Sequence, residues 1–317
     1  GYRRRARLAV QRAKDGRFLV GFRNAGSRRI EPITQCPVLT APLPEVITLL
    51  PNWLASFPAA IRVFEVELVS ADDSFAIAVE ASRFPSDKAL EPILSGLQDM
   101  GFGASQLWWK TAKQAHFTRL DSGSDSLTFS VNKNIQLTFE PGQFIQVNSE
   151  VNRLMIAQML DLLPDQSITK IGTAIDLYCG TGNLSLPLAK RYGTVIGIEG
   201  LTDLVNGAKE NARMNGIINV EFAVADLNQS TGLANAYRGK QPVDLVLLDP
   251  PRNGAAAIMP WVAKTQAKQI IYISCHPATM IRDASVLVES GYKLVAAGVM
   301  DMFPHTSHIE AITLFEK

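Results

Sequence analysis

Between Ala174 and Ser290 short apolar runs alternate with amphipathic stretches, and nothing else in the chain constrains its fold as strongly. Ala174–Tyr178, Val195–Glu199, Val220–Val224, Val243–Leu248 and Gln269–Ser274 read as strands. Leu184–Arg191, Leu201–Asn215, Gly254–Thr265 and Ala278–Ser290 read as helices between and after them. Strands that alternate with helices imply a parallel sheet with right-handed crossovers. The pattern breaks at the end, where Lys293–Val299 and Ile309–Phe315 are strands with no helix between them. An antiparallel last strand on a doubly wound α/β sheet is therefore expected.

The first half reads differently. Residues 3–10 and 17–24 form two strands around a turn at Lys14-Asp15-Gly16-Arg17, an Asp-Gly hairpin signal. A helix from Leu43 to Phe57 is interrupted by Pro51. Arg62–Val69 and Phe75–Ala81 form a second hairpin turned at Asp72-Asp73, and a helix follows from Ser86 to Met100. Short strands near Gln106–Trp109, Leu127–Val131 and Ile135–Phe139 complete an α+β, antiparallel half. The character changes near Pro141-Gly142, and Ser149 is placed to cap a helix running to Leu163. At 317 residues the prior is about two domains, here 1–143 and 144–317.

An apolar fraction of 47% with 19% charged residues excludes a disordered or collagen-like chain. The richest apolar stretch, Ile47 to Val69, is broken by Pro51, Pro58, Arg62 and Glu65, so no membrane-spanning helix is expected. Three cysteines and no signal-like start point to a reduced, cytoplasmic protein. The first residue is Gly, not Met, which suggests a fragment. Net charge is +1, yet residues 1–30 hold ten Lys/Arg and one acidic residue. A basic arm of this kind, with Arg3, Arg4, Arg5, Arg7 and Arg12, suits a polyanion or a solvated hairpin face. Of the adjacent Trp108 and Trp109, one is expected in the core, which argues against a stacking platform.

Five motifs carry chemistry. Asp176-Leu-Tyr-Cys-Gly180-Thr-Gly182-Asn183 follows a strand and opens a helix, where glycines let a ligand approach the backbone. A dinucleotide fingerprint would want Gly or Ala where Ser185 stands. Glu199, ending the next strand, suits a ribose diol, and Asp226 an adenine edge. Asp249-Pro250-Pro251-Arg252 projects a carboxylate from a strand end. Amine methylases often place an aromatic ring after the two prolines. Arg252 offers none, which argues against that chemistry. Ser274-Cys275-His276-Pro277 sets a thiol beside a helix N-terminus, which favours the thiolate; the alternative is a buried structural cysteine. Glu310 alternates onto one face with Ile312 and Leu314 and is either a salt-bridged residue or a base of raised pKa. His305 and His308 have a metal-pair spacing but no further ligand cluster. Phe144-Ile-Gln146-Val-Asn148 offers two amides at the domain junction.

A pyrimidine C5 is a poor nucleophile. A thiolate added to C6 pushes charge onto C5, which then attacks an electrophilic methyl group, and a base removes the C5 proton so that the thiolate leaves. Cys275, Glu310 and the Gly180 loop supply those parts. With these motifs the chain resembles the RNA uracil-C5 methyltransferases that use S-adenosylmethionine, and its start, together with Gln35-Cys36-Pro37, is similar to the branch that methylates 23S ribosomal RNA. The resemblance implies a Rossmann-like class I methyltransferase domain preceded by a smaller α+β domain. It implies Cys275 as nucleophile and Glu310 as base, with Gln146, Tyr178, Asn183, Glu199, Asp226 and Asp249 lining the cofactor and uracil pocket. His276 stands where close relatives often have Asn. Cys36 matches the last of four ligands of a 4Fe-4S cluster, whose partners would precede Gly1. The expectation is a catalytic core without the family's N-terminal barrel and without an intact cluster. A flipped or looped-out uridine in 23S rRNA is the expected substrate, held in part by the basic arm, and a monomer is expected. The alternatives are a tRNA uracil-C5 methyltransferase, a non-catalytic RNA-binding or assembly factor on the same fold, and a nucleotide-dependent dehydrogenase.

Overall fold

The computed structural model describes residues 1–24, 26–27, 29–99, 101, 105–123, 125–164, 172–237 and 242–317. Arg28 of the basic arm and Met100, where the sequence ends its second helix, lie outside them. Two compact units emerge: Gly1–Phe129 with Thr138–Val147, and Ser130–Leu137 with Asn148–Lys317. The change of unit falls at Asn148 because the preceding segment is tied back to the start of the chain. Arg4 N–H donates to the Val147 carbonyl (2.9 Å), and Arg5 Nη1 to that of Gln143 (2.6 Å).

The first unit holds β1 (Arg5–Arg12), β2 (Phe18–Arg23), β3 (Ile30–Pro32), α1 (Leu43–Ala55), β4 (Val63–Ser70), β5 (Phe75–Ala81), α2 (Asp87–Asp99), β6 (Ser105–Thr111) and β7 (Thr118–Arg119). Among the described residues its sheet runs β3-β2-β1-β4-β5-β6-β7. The half is not wholly antiparallel as the sequence suggests. β6 pairs parallel to β5, with α2 as the crossover that such a pair requires. Nor does Pro51 interrupt α1. Leu43, Val46, Ile47, Leu50, Trp53 and Leu54 form one buried stripe, whose packing outweighs the hydrogen bond that a mid-helix proline forfeits. Trp109 is fully buried against Phe57, whereas Trp108 is half-buried and donates to Gln106 Oε1.

Part of the basic arm is paired within the fold. Arg4 is buried and pairs with Asp72 at 3.1 Å. Arg5 and Arg7 each reach Glu67 Oε2 at 2.9 Å, while Glu67 Oε1 accepts the Gly142 N–H at 3.0 Å. Arg4 and Arg5 thus brace the fold and are not free for phosphates. Arg12 remains exposed, stacked over the Phe18 ring. Glu67 is only 2% exposed, and removing one partner of a buried pair strands the other's charge. Glu67→Ala is expected to cost about 3 kcal/mol and lower the melting temperature by roughly 10 °C. A calorimetric scan showing no loss would deny that role.

β8 (Leu127–Asn132) and β9 (Ile135–Phe139) form a two-stranded ladder through which the division of units passes. The second unit continues with α3 (Ser149–Asp161), β10 (Thr173–Leu177), α4 (Ser185–Leu188), β11 (Thr194–Glu199), α5 (Thr202–Met214), β12 (Val220–Val224), α6 (Ser230–Ala236), β13 (Leu245–Leu248), α7 (Met259–Lys264), β14 (Gln269–Ser274), α8 (Pro277–Glu289), β15 (Lys293–Met300) and β16 (Glu310–Glu316). Its sheet order is β12-β11-β10-β13-β14-β16-β15, parallel except where β16 joins β14 and β15 antiparallel. The central strands are buried on both faces and mostly apolar, as in sheets covered by helices on both sides, with Asp176 of β10 the buried charged exception. α3 is capped by Asn148, not Ser149: the Asn148 Oδ1 accepts the Val151 N–H at 3.2 Å. The helices at 184–191 and 254–265 are shorter than their sequence patterns.

Candidate active site

Strand order reverses between β10 and β13, and ligands of open α/β sheets bind at the carboxyl ends flanking such a point. Each sequence motif of the second unit ends there. The Gly180 loop follows β10, Glu199 closes β11, Asp226 follows β12, Asp249 follows β13 and Cys275 follows β14. Because β16 runs antiparallel, its first residue lies at the same edge. Ser274 pairs with Ala311, so Cys275 and Glu310 are the residues next to the last paired position of the two strands, and the Glu310 charge is felt by the thiol.

The Gly180 loop is firmly held. Tyr178 adopts φ 65°, a left-handed conformation unfavourable for a bulky residue. Its N–H and that of Cys179 both donate to the Ile198 carbonyl. Gly180 also has positive φ, and a Cβ there would meet no atom within 4 Å, which leaves room for a ligand against the backbone. Glu199 accepts the N–H groups of Gly180 (3.2 Å), Gly200 (2.7 Å) and Leu201 (3.2 Å). Ser185, in place of a third glycine, donates its hydroxyl to the buried Asp176 Oδ2, while Asp176 Oδ1 has no partner. Asn183 forms a reciprocal amide pair with Asn152 of α3, 2.9 Å in both directions. Asn211 of α5 donates to the Thr181 carbonyl at 3.0 Å. Asp226 is exposed and accepts from Asn228 and Gln229. Gln146 is half-buried and belongs to the first unit.

Carboxylates crowd this edge, and the field shows it. Burial, then Glu310 and Asp176, push Asp249 up to about 8. Burial and the charge on Glu199 raise Asp176 to about 7, against the pull of Ser185. Burial raises Glu310 above the usual carboxylate range, with Arg252 opposing. Cys275 is also pushed up, first by burial and then by Glu310, while Arg252 counteracts. The thiol is thus raised where the helix terminus had suggested a favoured thiolate, burial being the largest cause and the neighbouring carboxylate the next. An acidic edge of this kind favours a cationic ligand, which would draw these groups back toward ionisation.

Glu310 is buried, but so are Ala311, Ile312, Thr313, Leu314 and Phe315; β16 is covered on both faces, not on alternate residues. Arg252 Nη2 lies against the His308 ring, 3.2 Å from Nε2. His276 caps α8, its Nδ1 accepting the Thr279 N–H. Among the described residues no group of three or more His, Cys, Asp or Glu is placed to hold a metal ion, and Cys36 is a single buried thiol of the first unit.

Sequence reasoning missed Asn152, Asn211 and Asp283. All three are polar residues on the inward stripe of a helix, and each is at most 1% exposed. The signal was the polar residue at an apolar spacing: Asp283 with Leu287, Asn211 with Val205, Ala208 and Ala212, Asn152 with Met155, Ile156 and Met159.

A family model described as tRNA (Uracil-5-)-methyltransferase matches residues 1–317. The chain is 38% identical over 325 residues to the 23S rRNA (uracil(1939)-C(5))-methyltransferase RlmD of Shewanella sp. (strain MR-7), covering 99% of this chain and 70% of that protein. Its identity to the protein of the same name from Pseudomonas fluorescens (strain Pf0-1) is 40% over 319 residues, covering 100% of this chain and 66% of that one. The fold is similar to the crystal structure of Pyrococcus abyssi tRNA (uracil-54, C5)-methyltransferase in complex with S-adenosyl-L-homocysteine, with a TM-score of 0.76 and 21% identity over 99% of this chain and 76% of that one.

Proposed function

Because the chain belongs to the tRNA (uracil-5-)-methyltransferase family, we propose that it methylates C5 of a uridine in 23S ribosomal RNA, with S-adenosylmethionine as donor. The reading is carried by the thiol and the buried carboxylate that adjoin the last paired residues of β14 and β16, at the edge where the glycine loop ends. The ribosomal target rests on the names of the relatives at 38% and 40% identity.

The residues present suit the donor. Open space at Gly180, the unpartnered Asp176 Oδ1 and the acidic edge fit a cationic, amine-bearing ligand. Tyr178, Asn183, Glu199 and Asp226 would hold it, with Asp249 on the uracil side. When bound, S-adenosylmethionine supplies an electrophilic methyl group. The Cys275 thiolate adds to uracil C6, and the electron pair moves onto C5 and the adjacent carbonyl oxygen. Asp249, at the strand end on the same edge, would contact the uracil ring. Once C5 carries the methyl group, Glu310 takes the C5 proton, the C5–C6 double bond re-forms and the thiolate leaves. Access to C6 requires the uridine to be out of its stack. Cys36 alone does not make a cluster site, and no step runs through one. The reading carries with it a monomeric enzyme acting on ribosomal RNA in the cytoplasm; among the described residues no helix is long and apolar enough to cross a membrane.

Covalent trapping tests this. With S-adenosylmethionine and a 23S rRNA fragment carrying 5-fluorouridine, C5 has no proton to lose, so the protein is expected to stall as a methylated adduct mapping to Cys275 by mass spectrometry. A tRNA transcript treated in the same way is expected to stay free. Donor binding without any adduct to ribosomal RNA would sink the proposal, and an adduct with tRNA alone would redirect it to that substrate.

A further inference from the structure

The loop from Asp249 to Ala255 carries two groups whose charges act on the thiol, yet it has little core of its own: Pro251, Arg252 and Asn253 are exposed. What holds it is α8, the helix that begins just after Cys275. The Thr279 hydroxyl lies between two carbonyls, that of Arg252 at 3.2 Å and that of His276 at 2.9 Å. It therefore links the loop to the residue beside the thiol. Arg282 Nη2 donates to the Asn253 carbonyl at 2.9 Å. Asp283, wholly buried, accepts from the Ala255 N–H and the Tyr272 hydroxyl through Oδ2, both at 2.6 Å, and from Arg282 through Oδ1. These three side chains stand at i, i+3 and i+4, one face of the first two turns. Gly254 completes the fit: it has φ +77°, and a Cβ there would lie 2.5 Å from Asp283 Oδ2 and 2.6 Å from Arg282 Nη2.

A surface loop needs no buried carboxylate with four donors to stay folded. We propose that Thr279, Arg282 and Asp283 are positioning residues: a latch that fixes Asp249 and Arg252 against Cys275, resting on the reading of Cys275 as the nucleophile. Arg252 is the cation that opposes the upward push of burial, Glu310 and Asp249 on the thiol, and His276 and His308 are the other titratable groups on these segments. A loosened loop removes that cation from the thiol and Asp249 from the ring. Small displacements of reacting groups cost about tenfold or more in rate.

The test reads the thiol directly. Cys36 and Cys179 are buried and Cys275 is partly open, so the pH–rate profile of iodoacetamide alkylation, located by peptide mass spectrometry, reports the ionisation of Cys275. In Asp283→Asn and Thr279→Val its midpoint is expected to move up by about half a unit or more, as for a thiolate that loses a neighbouring cation. Thr279→Ser, which keeps the hydroxyl, is expected to retain the wild-type midpoint. Adduct formation on 5-fluorouridine RNA, run in parallel, is expected to slow about tenfold in the first two variants while donor affinity stays within about twofold. Should Asp283→Asn not fold, Thr279→Val and Arg282→Met carry the test. Unchanged midpoints in the folded variants, or a Thr279→Ser midpoint displaced as far as that of Thr279→Val, would overturn the latch. A wild-type protein that forms no adduct overturns the functional reading instead, and the alkylation midpoints still decide the latch.

Discussion

Cys275→Ser is expected to abolish both the adduct and methyl transfer while leaving S-adenosylmethionine binding intact. The loss is put at about 10⁴-fold or more, roughly 5–6 kcal/mol of transition-state stabilisation. A serine hydroxyl ionises far above neutral pH, and the carboxylate that acts most strongly on this position, Glu310, is needed later in the cycle. The other thiols offer no bypass. Cys36 is buried in the first unit, and Cys179 is pushed well up by burial, then by Asp176 and Glu199. Single-turnover transfer of a labelled methyl group to ribosomal RNA measures the loss. A Cys275→Ser protein within tenfold of wild type would mean that no covalent bond to C6 is needed. Because Cys275 lies in a turn held by Ser274, whose hydroxyl accepts the His276 N–H, the substitution has little reason to disturb the fold.

The sequence was most legible where one kind of contact dominates. Leu245–Leu248 and Ile270–Ile273 are buried on both faces, so their unbroken apolar runs had one structural meaning, and the missing helix before Ile309 already required an antiparallel strand. Polar pairings were not legible. Arg4 and Arg5 looked like a phosphate-binding arm because their partners, Asp72 and Glu67, lie more than sixty positions away; charge counted in a window cannot tell a buried ion pair from a free cation. The Asn152–Asn183 amide pair spans 31 positions and the Asp283–Ala255 bond 28. Short elements failed for a related reason: α6 (Ser230–Ala236) buries only Leu233, too little to leave a periodic trace. Cys275 and Glu310 were singled out because the proposed chemistry requires both; it is the antiparallel pairing of β16 with β14, ending at Ser274 and Ala311, that puts them at one edge. The raised thiol pKa was invisible to motif reasoning, which registered the helix terminus and not the burial or the facing carboxylate.

Glu310→Gln separates the two halves of the reaction. Addition of Cys275 and methyl transfer do not use the Glu310 base, so both proceed, but the C5 proton then has no acceptor. A covalent protein–RNA adduct is expected to accumulate on ordinary uridine, while turnover falls by about 10²–10⁴-fold, the usual contribution of a general base. The pH dependence gives a sign as well as a size. Cys275 and Glu310 both act in their deprotonated forms, and burial raises both, so wild-type activity climbs with pH through the Glu310 transition and on toward that of the thiol. Glu310 is itself one of the charges that raise the thiol. Replacing it with a neutral amide favours the thiolate, so the profile for adduct formation in Glu310→Gln is expected to shift to lower pH. Stability moves in step. A carboxyl whose folded pKa lies above its unfolded value costs the native state once pH exceeds the unfolded value, and glutamine carries no such cost, so the variant melts no lower than wild type at pH 8. Rates of adduct formation from pH 6 to 9, read as retarded bands on denaturing gels, decide the matter. Turnover without a lasting adduct, or a profile displaced to higher pH, would remove Glu310 from the role of base.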